Sequence, residues 1–141
     1  MNEILLSDVV AWVESGGNIL AMRYEPLWIP QNASAVKASA VAGYMDEATA
    51  DMICKCSWGK YQIMGDNLYG PLGFKSTLFD LLSSPSLQLE LFRKFIGLHG
   101  FNDAPFLTML PNDLIRFAMA YNGSAVYADS LRKAYTYLTA P

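Results

Sequence analysis

The chain has 141 residues, of which 52% are hydrophobic and 16% charged, and its formal net charge is −3. That length suits one domain with a real core, and the apolar content excludes a disordered chain. No apolar run reaches the roughly 18–20 residues of a membrane span, and acidic charge without clustered Lys and Arg excludes nucleic acid as the main partner.

Ile4, Leu5, Val9, Val10, Trp12 and Val13 recur at helical spacing. They predict a first helix that Ser7 or Asn2 caps and Gly16-Gly17 stops. Glu14 falls in its last turn. The C-terminal end of a helix carries about half a negative charge, so the dipole and partial burial both disfavour an ionised carboxyl there. A carboxyl that keeps its proton near neutral pH suits a general acid for glycoside cleavage. The plainer alternative is a solvated surface glutamate.

Residues 19–29 are rich in branched and aromatic side chains and broken by Pro26, with Pro30 just beyond, which predicts a short edge strand or irregular hairpin. Glu25 projects from it, with Arg23 as a possible ion-pair partner. Residues 31–50 are rich in Ala and Ser and suit a mobile loop or weak helix, with a short helix over 46–53. In the next stretch Tyr61, Ile63 and Met64 read as core. Ser57, Trp58 and Gln62 gather polar and aromatic groups around Gly59, as a sugar face with hydroxyl hydrogen bonds requires. The alternative for Trp58 is an ordinary core residue.

The remainder is helical in pattern. Ser76 caps a short helix through Leu82, and Ser84-Pro85 opens a longer one through Leu98 with Leu87, Leu91, Phe92, Phe95 and Ile96 inward. Gly97 and Gly100 end it, with His99 a surface residue between them. Pro111 or Asn112 starts a helix that buries Leu114, Ile115, Phe117, Ala118 and Tyr121. A last helix, from about Ser124 to Leu138, carries Tyr127, Leu131, Ala134, Tyr135 and Leu138 as its stripe. The predicted class is mainly α: a single helical domain, 1–141, with one small β-hairpin after the first helix.

Other chemistry has little support. Cys54 and Cys56 stand too close for an unstrained bridge, and with a lone distant His99 they make a poor zinc set. Both read as reduced thiols, one of them buried, so no metal and no cofactor is expected. The opening Met1-Asn2-Glu3-Ile4 lacks the basic segment of a secretory signal.

Three stretches occur in order: Glu14-Ser15-Gly16-Gly17, Ser57-Trp58-Gly59-Lys60-Tyr61-Gln62-Ile63-Met64-Gly65, and Ala120-Tyr121-Asn122-Gly123. Together they resemble the lysozyme-like superfamily, in which Glu-Ser-Gly-Gly, Gly-x-x-Gln-Ile and Ala-Tyr-Asn segments mark lytic transglycosylases and goose-type lysozymes. They are most similar to the N-acetylmuramidase domains of phage endolysins and related bacterial proteins. Those show Phe-Glu-x-His after the first glycines, where this chain has Tyr24-Glu25-Pro26-Leu27, so Leu27 departs from the pattern's histidine. The likeness runs from about Leu5 to Leu138.

The resemblance implies an α+β lysozyme-like fold with Glu14 as the general acid and Glu25 as a second carboxylate across the cleft. It implies that Ser57, Gln62, Tyr121 and Asn122 line the saccharide site, with Tyr121 hydrogen-bonding near Glu14. The implied substrate is the peptidoglycan glycan strand, cut at the β-1,4 bond between N-acetylmuramic acid and N-acetylglucosamine. Three outcomes stay open. Glu25 holds a water and the bond is hydrolysed with inversion, which needs roughly 6.5–9.5 Å between carboxyls; Glu14 acts alone as a transglycosylase; or the chain is a non-catalytic virion component. Acidic charge gives no pull toward an anionic wall. The expected setting is therefore the host cytoplasm, or a virion with tail proteins as partners, with the target in the periplasm.

Overall fold

A computed structural model describes residues 2–141. Its first helix, α1 (Leu6–Ser15), drives Leu6, Val9 and Val10 wholly into the core. Neither Ser7 nor Asn2 caps it. The Ser7 N–H donates instead to Asp103 Oδ1 at 2.8 Å and the Leu6 N–H to the Ala104 carbonyl at 2.9 Å. Asp8 reaches back to the Leu5 N–H at 2.8 Å. A carboxylate almost a hundred residues away thus does the work of an N-cap, and Arg93 holds that carboxylate at 3.0 Å. At the other end Gly16 adopts φ 63°, and the Gly16 and Gly17 N–H groups satisfy the Trp12 and Ala11 carbonyls.

The strand after this turn, β1 (Met22–Tyr24), does not fold back on itself. It pairs antiparallel with β2 (Cys56–Trp58), Met22 opposite Trp58 and Tyr24 opposite Cys56, and β2 pairs with β3 (Ile63–Met64). The small β element is therefore a three-stranded sheet whose tight hairpin joins β2 to β3. Between β1 and β2 the chain makes a helical excursion: α2 (Ala33–Val41), a 3-10 turn (Glu47–Thr49) and α3 (Ala50–Cys54). The Ala-rich segment is an ordered helix and not a loop, because alanine favours helix and Val36 is fully buried.

Helix α4 (Gly65–Tyr69) follows β3 without a linker. Then come α5 (Leu78–Leu82), capped by Thr77 and not Ser76, and α6 (Pro85–Leu98), capped by Ser84 as predicted. Helices α7 (Pro111–Asn122) and α8 (Tyr127–Thr139) complete the chain, with α8 packed against both α1 and α7. The class is mainly α with one small antiparallel sheet. Among the described residues no helix is long and apolar enough to cross a membrane. Cys54 and Cys56 are both buried free thiols; burial pushes both up, Cys54 to about 11.

Gly65 sets how closely α4 sits against α3. A Cβ at this position would lie 2.1 Å from the Ile53 carbonyl oxygen. Gly65→Ala should therefore cost about 1–3 kcal/mol, the usual range for overpacking, read as a lower urea midpoint with an unchanged slope. A midpoint equal to wild type would mean that α4 moves freely.

Candidate active site

Glu14 ends α1 half-buried, and the buried Tyr127 of α8 donates its hydroxyl to Glu14 Oε2 at 2.6 Å. Desolvation by burial is the largest influence on this carboxyl and raises its pKa from 4.5. The Tyr127 donation and the Arg23 charge pull it back, and the Glu25 charge pushes it up again. A hydrogen bond to an ionised group stabilises it by about 1.5–3 kcal/mol, yet the net shift stays upward, so lost hydration outweighs the bond. Tyr127 is held neutral in turn, its pKa raised by its own burial and by Glu14.

Another wall is fixed by two amides, the buried Gln88 and the half-buried Gln62. Ser15 Oγ donates to the Lys60 carbonyl at 2.7 Å and ties the end of α1 to the β2–β3 turn. Gln88 of α6 accepts the Lys60 N–H at 2.7 Å and donates to the Ile19 and Leu81 carbonyls at 2.9 and 3.0 Å. Gly59 at φ 78° permits this approach, since a Cβ would meet Gln88 Oε1 at 2.6 Å. Gln62 is the one described non-glycine residue with positive φ, at 54°. Its side chain is locked by Ser57 Oγ at 2.7 Å and by the Gly59 carbonyl at 2.9 Å. Strain of this kind persists where surrounding bonds over-determine it.

Glu14, Arg23, Glu25, Ser57, Gln62 and Asn122 all face one groove of about 480 Å³. Trp28, Gln62, Met64, Tyr121 and Asn122 also line a second hollow of about 370 Å³ that extends to Phe95 and His99. The two hollows form one furrow. Glu25 follows β1; its backbone N–H donates to the Lys55 carbonyl at 2.7 Å and its carboxylate lies 3.7 Å from Arg23. Leu27, at the position where the related pattern has histidine, is 93% exposed on the groove wall.

The structure brings Glu14, Glu25, Ser57, Gln62, Tyr121 and Asn122 together, but Trp58 does not line the furrow. Its indole packs on the core with Nε1 directed at the Ile53 carbonyl, 3.4 Å away. Tyr121 is not the partner of Glu14 either: its hydroxyl donates to the Tyr61 carbonyl at 2.5 Å, which leaves its ring to the groove. The residues that sequence reasoning passed over are Tyr127, Gln88 and Trp28. Each owes its place to a partner distant in sequence. The aromatic character of Trp28 beside Pro26 and Pro30 was the one local signal.

A half-buried carboxyl at the end of the first helix thus shares a furrow with a second carboxylate, the pair of groups that glycoside cleavage uses. Comparison with known proteins gives the family. The family model described as N-acetylmuramidase matches residues 30–139. The endolysin of Enterobacteria phage PRD1 is 30% identical over 138 residues, 92% of this chain and 93% of that protein. No solved structure matches. The chain belongs to the N-acetylmuramidase family, lysozyme-like enzymes that degrade peptidoglycan. The matched span begins at Pro30, beyond Glu14 and Glu25.

Because folding raises the Glu14 pKa, the folded state holds this proton more tightly than the unfolded chain. The linked stability is present at and below pH 4.5 and drains away as pH rises through the folded value. Glu14→Gln has no such charge to bury. Its melting temperature relative to wild type should climb with pH above 4.5 and then level off. A difference independent of pH from 4 to 8 would contradict the burial argument.

Proposed function

We propose that residues 1–141 act as one muramidase domain that cuts the N-acetylmuramic acid–N-acetylglucosamine β-1,4 bond, with Glu14 as general acid. The observation that carries this reading is the half-buried Glu14 carboxyl at the wall of a furrow of two adjoining hollows, about 480 and 370 Å³, where burial raises its pKa. Glu14 donates its proton to the bridging oxygen while the muramoyl ring flattens toward an oxocarbenium ion. The Tyr127 hydroxyl then stabilises the carboxylate left behind. Glu25 receives the role of holding a water on the opposite face of the sugar and removing its proton, which gives hydrolysis with inversion. Ser57 and Gln62 shape the wall. Among the described residues the Asn122 amide makes no bond to the protein and is free for a saccharide hydroxyl or acetamido group.

A second reading has one observation in its favour. The Glu25 carboxylate is already engaged by Arg23, so it is not reserved for a water. Glu14, once deprotonated, would then draw the muramoyl hydroxyl into an anhydro ring, as a lytic transglycosylase does. The phage PRD1 relative is an endolysin, which supports an endolysin role, with synthesis in the host cytoplasm and release to the wall; virion-borne delivery is the alternative setting.

Glu14→Gln should remove at least ~99% of clearing activity on chloroform-treated Gram-negative cells, the scale of lost general-acid catalysis. Full activity in that folded variant would refute the assignment. Mass spectra of released muropeptides separate the two chemistries. Hydrated reducing ends, with most of the rate lost in Glu25→Gln, support hydrolysis. The water-loss anhydro mass, with the rate retained in Glu25→Gln, supports the transglycosylase.

A further inference from the structure

Asp66, the second residue of α4, is fully buried, and no lysine or arginine pairs with it among the described residues. A carboxylate in that position is stable only if hydrogen bonds replace its water. All three that it receives come from one segment. Trp28 Nε1 and the Gln31 N–H donate to Oδ2 at 3.0 and 2.9 Å, and the Asn32 N–H donates to Oδ1 at 2.7 Å. Gly70 completes the clasp: a Cβ there would lie 2.5 Å from Asn32 Cγ, so glycine is what lets Asn32 settle against α4. The clasped segment is the continuation of the one that carries Glu25 and Leu27.

Trp28 stands where the two hollows of the furrow meet and lines both. Its indole N–H, the only polar group of the ring, is spent on Asp66. What remains for the groove is apolar ring surface, partly exposed. A pyranose offers its C–H face to such a surface while its hydroxyls seek polar groups, which Asn122 and Gln62 supply nearby.

We propose that Trp28 is the stacking platform for a glycan sugar at the middle of the furrow, and that Asp66 is the positioning residue that holds it there. The assignment rests on the furrow being a saccharide site. It places binding energy on a residue outside the acid–base pair, with the orientation of the ring set by a carboxylate that never touches substrate.

The test uses the full chain carrying Glu14→Gln, titrated with glycan strands freed of peptide and followed by tryptophan fluorescence. Binding should change the emission, and Trp28→Ala should abolish most of that change and weaken affinity about tenfold, the scale of one aromatic contact. In active protein, Asp66→Asn should raise KM about tenfold with kcat within about twofold. Adding Trp28→Ala to Asp66→Asn should raise KM little further, because both remove the same contact. Undiminished affinity and emission change in Trp28→Ala overturns the platform while leaving the muramidase reading intact. Additive effects of Asp66→Asn and Trp28→Ala overturn the positioning role. If Asp66→Asn fails to fold, the Trp28→Ala titration still decides the platform. No binding by any variant overturns this assignment together with the reading beneath it.

Discussion

The hydrogen bond from Tyr127 to Glu14 joins the first helix to the last at the point where both reach the groove. It solves a problem that burial creates. A carboxyl stripped of much of its hydration, at the negative end of a helix, is costly to ionise and costly to leave without a donor. One neutral hydroxyl lowers the second cost without cancelling the first, so the proton is retained more firmly than on a free glutamate. A lysine in the place of Tyr127 would pin the carboxylate as an anion. The packing of α1 against α8 thus sets the surroundings of this carboxyl as well as building the core.

The buried polar side chains tell the same story. Ser57, Asp66 and Gln88 are nearly or wholly inaccessible, and each braces a segment that lines the furrow. Leaving any of them unpaired would cost roughly 1–3 kcal/mol, and among the described residues no buried side-chain nitrogen or oxygen lacks a partner. The site is a set of short irregular pieces: a glycine turn, an edge strand and a proline-flanked loop. Such pieces have little regular backbone bonding of their own, and buried amides and carboxylates supply the rigidity that a helix would otherwise give.

Sequence alone revealed the elements whose signals are local. Ser84-Pro85 spelled the start of α6, Pro111 that of α7, and Gly16-Gly17 the end of α1. Glu14 was legible because an acid before a double glycine at the end of an apolar helix is locally unfavourable. What stayed hidden depends on partners far along the chain. Asp103 caps α1 from beyond α6, and β1 finds β2 only after two helices intervene. Trp28 was passed over, and Trp58 took the core alternative and not the sugar face, for the same reason. Composition around an indole does not say where its N–H will find an acceptor, and that acceptor decided which ring turned to the core and which to the groove.

A general acid at position 14 must hold its proton in the free enzyme. The direct test is to compare two titrations of the same protein: the carbon-13 shift of the Glu14 carboxyl, and the alkaline limb of kcat/KM for peptidoglycan cleavage, which reports the essential acid of free enzyme. With Glu14 as the acid, the two midpoints coincide above 4.5 and move up together in Tyr127→Phe, since loss of the donated bond favours the protonated form. An alkaline limb that stays in place while the Glu14 titration moves would contradict that role.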